Sequence, residues 1–390
     1  MLKIKKNLSR ICLLIIGIFL GFLISELIAG KYIKNTRLDE KLRYIEEKIG
    51  HYEQIDIGCY DEDLGWGLKP GTKGSVITSD FETTYAISSN GIRDKEISLS
   101  KTGDEFRIVA LGESNVFGQG IDYGKRFTEV IEQELSNVEV VNMAVWGFGM
   151  DQAFLQLKRD GFKYEPDLVI LFIIEDFLKR CKDFSNDCGY KPRFILSEDK
   201  SKLILQDINY FESNFGNQNI SDTNNSSEEG SKKYSFLWKS KLLTLIHYYR
   251  KRKMIDGELK EQDRAYWKII LDEPFEKRRI EQDYYKQDFR KLIFLLLSKY
   301  KEICNAHKAN FLLVNMDTCK IDYITDFCQD LDIFYLDLSD ILTRVSKFAS
   351  LRFDIDPHYN EFAHKVIGEH LSKYIKDKYD LGESKNYVYK

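Results

Sequence analysis

The chain has no Cys-x-x-Cys pair, and its seven cysteines lack the spacing of a metal site. It has no Gly-x-Gly-x-x-Gly run either. One stretch of spaced glycines, LGESNVFGQG at 111–120, lacks the lysine of a phosphate-cradling loop. Metal centres, dinucleotide sites and phosphate loops are therefore not expected, and no cofactor is implied. Charge of one sign is nowhere concentrated: 58 Lys and Arg face 62 Asp and Glu, a net charge of −4 without large blocks. Nothing in that balance points to nucleic acid as a partner. Proline is scarce, at five residues, and no internal repeat is apparent. Cys181 and Cys188 lie close enough for a short-loop disulfide in an extracytoplasmic domain; the plainer reading is unpaired thiols.

What is present suits a packed globular core. Hydrophobic residues make up 43% and charged residues 31% of 390, enough for one sizeable domain with insertions or two smaller ones. One long apolar run does occur, at the start. Lys3, Lys5, Lys6 and Arg10 precede ICLLIIGIFLGFLIS (11–25), followed by Glu26 and LIAG (27–30). About 20 residues rising 1.5 Å each cross a roughly 30 Å hydrocarbon layer. A cleaved signal peptide shares this layout, but no small-x-small cleavage site or lipid-accepting cysteine follows. The expectation is a single-pass anchor over 1–30, held by the membrane through 11–30, with the bulk of the chain extracytoplasmic. That orientation rests mainly on the compact basic N-terminus, because Lys31, Lys34, Arg37, Lys41 and Arg43 make the far flank basic too.

A charged amphipathic helix is expected at 37–49, within a stalk or juxtamembrane element over 31–59, and a few short strands at 60–92. From 106 the pattern alternates. Strands are expected at 106–111, 138–143, 167–174, 310–316 and 333–338, and helices at 127–135, 151–162, 286–307 and 360–375. DLVILFII (167–174) is apolar enough to be covered on both faces, as central parallel strands are. The fold class expected is α/β: a three-layer α/β/α sandwich with a parallel flavodoxin-like sheet over 60–385. A variable insertion interrupts it at about 197–285. Residues 209–231 are polar and loop-like, and 234–282 mix basic and aromatic residues as a helical insertion or cap would.

FRIVALGES (106–114) would expose Ser114 at a strand-to-helix turn, and DIDPHYNEFAH (354–364) brings Asp356 and His358 onto one segment. A serine hydroxyl needs a base to become a nucleophile, and that base needs a third group to fix its tautomer. Ser114, His358 and Asp356 supply those three types; the plain alternative for Ser114 is a helix N-cap. His364 competes with His358 but lies within the last helix, and Asp354 is the backup for Asp356.

With these residues in view, the chain resembles the SGNH (GDSL-type) hydrolases over about 60–185 and 286–376, as a membrane-anchored member. Gly112-Glu113-Ser114 matches the nucleophile block and NMAVWGFGMDQ (142–152) the second block. The resemblance implies a Ser-His-Asp mechanism with an oxyanion hole formed by the amides of Ser114 and Gly147. His358-Tyr359-Asn360 follows a variant of the last block, and Asn115 and Asn360 stand as neighbours of substrate or hole. The third block departs: Glu175 occupies the place of an asparagine, and an ionised carboxylate accepts but cannot donate to an oxyanion. Asp176 reads as structural, with Arg180 its partner. SSNGIRD (88–94) resembles a turn of anchored members, with Arg93 a weak substrate-contact candidate. Three functions are implied: a tethered esterase removing an acyl group, acetyl above all, from an extracellular glycan or similar ester; an O-acyltransferase for a cell-surface polysaccharide, fed by a membrane O-acyltransferase partner through a Ser114 acyl-enzyme; or an inactive glycan-binding scaffold, the reading that Glu175 favours.

Overall fold

The structure, a computed structural model, describes Gly21, Ser25, Leu27 and residues 57–382, apart from 79, 187, 209–281 and 355. The rest of the expected anchor and stalk, the polar segment 209–231 and nearly all of 234–282 lie outside the described residues. Among the described residues, no helix is long and apolar enough to cross a membrane. The chain divides into two compact units, residues 1–51 with 219–282 and residues 52–218 with 283–390. Apart from Gln282, the elements below belong to the second.

Four short strands come first. β1 (Gly58–Asp61) pairs antiparallel with β2 (Gly65–Leu68), and β3 (Lys73–Ile77) with β4 (Glu82–Ala86). The central alternation then begins with β5 (Phe106–Leu111), α1 (Ser114–Phe117), α2 (Phe127–Glu134), β6 (Val138–Asn142), α3 (Met150–Arg159), β7 (Leu168–Ile173) and α4 (Glu175–Lys179). Two small antiparallel hairpins follow, β8 (Ser185–Asn186) with β9 (Gly189–Tyr190) and β10 (Arg193–Leu196) with β11 (Leu203–Gln206). The central pattern resumes with α5 (Gln282–Ala306), β12 (Asn310–Asn315), α6 (Asp322–Asp330), β13 (Phe334–Asp337), α7 (Ser339–Val345) and α8 (Glu361–Tyr379).

Five parallel strands form the central sheet in the order β13-β12-β7-β5-β6. Counted along the chain, that is the flavodoxin-like order, with a switch point between β5 and β7 at which sites form beyond the strands' carboxyl ends. Alternation sends successive side chains to opposite faces. Ile108, Ala110, Leu168, Ile170, Phe172, Leu312 and Val314 enter one core with α2 and α8; Val109, Leu111, Val169, Leu171, Ile173, Phe311 and Leu313 enter the other with α3, α5 and α6. Each of these side chains except that of Ala110, taken fully out of water, contributes roughly 1.5–3 kcal/mol. The short N-terminal strands add Trp66, Leu68, Val76 and Tyr85 to the first core. Gly368 lets α8 sit close on α2, since a Cβ there would come within 2.5 Å of Val130.

Expected and observed central elements agree to within a few residues. The last helix runs to Tyr379, and α5 starts at Gln282, inside the segment read as insertion. The early part of that segment carries β11, which closes a hairpin at 203–206. Cys181 is a buried free thiol, so the 181–188 bridge is not formed.

One ion pair ties the β9–β10 region to α3. Lys191 Nζ donates to Asp151 at 2.5 Å, both side chains 0% exposed, and to the carbonyls of Asp183 and Pro192. Burial pushes the Asp151 carboxyl up even against the pull of Lys191. Removing one partner of such a pair strands a charge in the interior. Lys191→Met is expected to lose about 3–5 kcal/mol in urea unfolding, and Lys191→Met with Asp151→Leu to recover most of it.

Candidate active site

The turn that carries Ser114 follows β5 directly. Gly112 is required there, because a Cβ would lie 2.3 Å from Val116 Cγ2. Glu113, not Ser114, caps α1: its backbone is extended and its side chain accepts from the Asn115 amide at 3.0 Å. The N-cap alternative for Ser114 is therefore set aside. Ser114 opens the helix, and Gly118, at φ 84°, closes it with its N–H on the Ser114 carbonyl.

Ser114 Oγ lies 2.7 Å from His358 Nε2, across 244 residues of chain. His358 Nδ1 lies 2.5 Å from Asp356 Oδ1, which also accepts the His358 amide at 2.9 Å. The His358 and Asp356 side chains are only 21% and 13% exposed. Asp356 rather than Asp354 meets the imidazole. Tyr359, buried at 0%, anchors this loop: its hydroxyl donates to the Met316 carbonyl at 2.5 Å and its amide to Asn115 Oδ1 at 3.0 Å. Arg352 donates to the Pro357 carbonyl and forms a bridge with Tyr359.

The other expected residues take different places. Asn115 is a strut, its Nδ2 donating to Glu113 and its Oδ1 accepting from Tyr359. Asn360 caps α8 by accepting the Ala363 amide at 3.0 Å, and its Nδ2 donates to the carbonyls of Ser350 and Arg352. Both side chains are committed to structure rather than to a hole. Gly147 sits at φ 73° in the turn after β6, next to β5 in the sheet. Glu175 turns to solvent: its side chain is 60% exposed and lies 2.9 Å from Lys179 Nζ. With its carboxylate held in solvent, Glu175→Gln is expected to change ester turnover by no more than about twofold, the scale of an exposed i,i+4 pair. The Asp176–Arg180 pair forms as expected, at 2.5 Å.

Arg93 is not a substrate contact. It is 2% exposed, donates to the carbonyls of Phe117, Gly118 and Ile121, and lies over the ring of Tyr85. Three backbone acceptors at one guanidinium clamp the loop that follows the Ser114 turn. His364, 0% exposed, accepts the Phe127 amide at Nδ1 and stacks on the Phe127 ring. Burial, helped by Arg126 and Arg93, pulls it down to about 3, so it is a neutral packing group.

Two residues escaped the sequence reading. Asp80, on the β3–β4 turn, accepts the Asp356 amide at 2.6 Å, while Phe81 beside it packs on Phe353. No local signal marks a carboxylate 276 residues away as a partner of that loop. Glu113 was visible only as a letter of the motif, yet its Oε2 lies 2.5 Å from Ser114 Oγ. Burial pushes its carboxyl up, but Arg180, His358 and hydrogen bonds from Ser114 and Asn115 together hold it below the usual carboxylate range.

No protein-family model matches the chain, and no curated protein matches it. Among solved structures it is similar to a lipase/acylhydrolase from Enterococcus faecalis, at 10% identity and a TM-score of 0.37 over 72% of this chain and 98% of that one. It is also similar to the psychrotrophic esterase EstA from a Pseudoalteromonas species, at 12% identity and a TM-score of 0.34 over 71% and 100% of the two chains. A third similar structure is an acetyl xylan esterase, at 9% identity and a TM-score of 0.34 over 69% and 99%. At these identities and scores the likenesses assign neither family nor activity to this chain.

Proposed function

We propose that the chain is a serine ester hydrolase. The observation that carries this reading is the unbroken Ser114–His358–Asp356 line, with contacts of 2.7 and 2.5 Å. Ser114 Oγ attacks the ester carbonyl carbon while its proton passes to His358 Nε2. Asp356 accepts the Nδ1 hydrogen and stabilises the imidazolium. Collapse of the tetrahedral intermediate breaks the bond to the alkoxy oxygen, which takes the proton from His358 and leaves as alcohol. Water then adds to the acyl-enzyme, giving its proton to the same nitrogen, and the carboxylic acid departs as Ser114 recovers its hydrogen. The amides of Ser114 and Gly147 are the donors assigned to the oxyanion, each worth roughly 3 kcal/mol.

The substrate proposed is an acyl ester, acetyl first, on an extracellular glycan, with the chain tethered through 11–30. Support comes from the basic-then-apolar N-terminus and from the resemblance of its motif blocks. A second reading is favoured by Glu175 facing solvent, which leaves position 175 without a donor for the oxyanion. In it, a polysaccharide hydroxyl replaces water at the acyl-enzyme, and a membrane O-acyltransferase supplies the acyl group. The full-length protein, given p-nitrophenyl acetate with and without a glycan acceptor, separates the readings. Free acetate supports hydrolysis, acetylated acceptor supports transfer, and neither product, together with no capture by a fluorophosphonate probe, leaves the scaffold.

A further inference from the structure

We propose that Glu113 is a second carboxylate acting on the nucleophile, competing with His358 for the single hydroxyl hydrogen of Ser114. In its bearing on turnover this rests on the ester-hydrolase reading; in its geometry it does not. Ser114 Oγ has one hydrogen and two acceptors in range, Glu113 Oε2 at 2.5 Å and His358 Nε2 at 2.7 Å. It can donate to only one of them. When it donates to Glu113, the contact to His358 persists as a hydrogen bond only with Nε2 as donor. With Nδ1 turned to Asp356, the ring is then doubly protonated, its extra proton taken from solvent. The nucleophile in that state has no base. Attack becomes competent once the ring returns that proton and the Ser114 hydrogen turns to Nε2.

The surroundings fix Glu113 in this position. Its side chain is 3% exposed. Oε1 is engaged by the Asn115 amide and the Asn115 side-chain amide, at 3.0 and 2.8 Å, which leaves Oε2 aimed at the hydroxyl. Arg180 Nη1 lies 3.8 Å from Oε2 and also donates to the Phe148 carbonyl in the loop that carries Gly147. The charged groups facing Glu113 are thus Arg180 from the start of the short helix after α4 and His358 from the C-terminal loop. Behind them stand Asp176 on Arg180, Asp356 on His358 and Asp80 on the Asp356 amide. An imidazolium there would sit between two carboxylates, while Arg180 offsets the nearer one. Removing Glu113 or removing Arg180 should therefore tip the proton in opposite directions.

The test uses the full chain with ¹⁵N-labelled histidine rings, the His358 signal being identified by its loss in His358→Ala. Ring titration needs no turnover, so absence of ester hydrolysis sinks the enzyme reading without touching this one. Glu113→Gln is expected to move the His358 titration to lower pH by roughly one unit, the usual effect of deleting one charge nearby. The acid limb of the fluorophosphonate-labelling rate should move with it. Arg180→Gln should move both to higher pH, and Glu113→Asp, one methylene shorter, should fall between wild type and Glu113→Gln. Unchanged midpoints in Glu113→Gln, or shifts of the same sign in the Glu113 and Arg180 variants, overturn the proposal. Should Glu113→Gln fail to fold, the sign of the Arg180→Gln shift decides it.

Discussion

Ser114→Ala is expected to lower kcat for p-nitrophenyl acetate by on the order of 10⁶, and to abolish covalent capture by a fluorophosphonate probe. His358→Ala should cost about as much. The double variant should be little worse than either, because the groups act as one unit. Loss of fold would not explain such a result. Ser114 is 6% exposed and its hydroxyl hydrogen-bonds only within the site, to Glu113 and His358, so its deletion should change stability by about 1 kcal/mol. Thermal unfolding of Ser114→Ala close to wild type, together with the lost turnover, is the pattern predicted. Residual hydrolysis within tenfold of wild type would mean that the geometry at Ser114 is not the seat of the activity.

The central fold was legible because periodicity and burial agree along it. LVILFI is buried at every position, and its strand lies in the middle of the sheet. The closing helix was visible from NEFAH onward, and its cap residue, Asn360, is where the pattern starts. The convergence of Ser114 with His358 could be anticipated because the chemistry demands a base for the hydroxyl, and a distant loop segment offered one two residues from a carboxylate. What stayed hidden was orientation. The letters at 113 and 175 are the same residue type, yet one carboxylate is 3% and the other 60% exposed. The difference is set by tertiary neighbours: Asn115 holds Glu113 inward, and Lys179, one helical turn on, holds Glu175 outward. The contacts of Asn115, Asn360 and Arg93 stayed hidden for a related reason. Each is a strong hydrogen-bonding side chain beside the site, and each is spent on backbone or strut contacts that spacing alone does not reveal.

Asp356→Asn is expected to lower kcat/KM by about 10⁴-fold while leaving the probe's target residue in place. Asp356 Oδ1 does two jobs, accepting the His358 amide at 2.9 Å and facing the His358 ring at Nδ1. As a carboxylate it has no hydrogen, so Nδ1 carries one and Nε2 is left to accept from Ser114. An asparagine can turn its amide nitrogen to the ring. Nδ1 then becomes the acceptor, the hydrogen moves to Nε2, and the nucleophile faces a donor where it needs a base. The lost charge adds to this, since the imidazolium formed during attack no longer has its counter-ion. The loop itself should hold, because Asp80 bonds the backbone amide at 356 and Tyr359 anchors the next turn, and neither contact uses the Asp356 side chain. Asp354, two residues earlier and exposed, is the control: Asp354→Asn should leave the rate within about twofold, as a surface substitution does. Equal losses at 354 and 356 would point to a disturbed loop instead of a mis-set tautomer. A large loss at 356 alone, with unfolding unchanged, assigns the effect to the hydrogen on the ring.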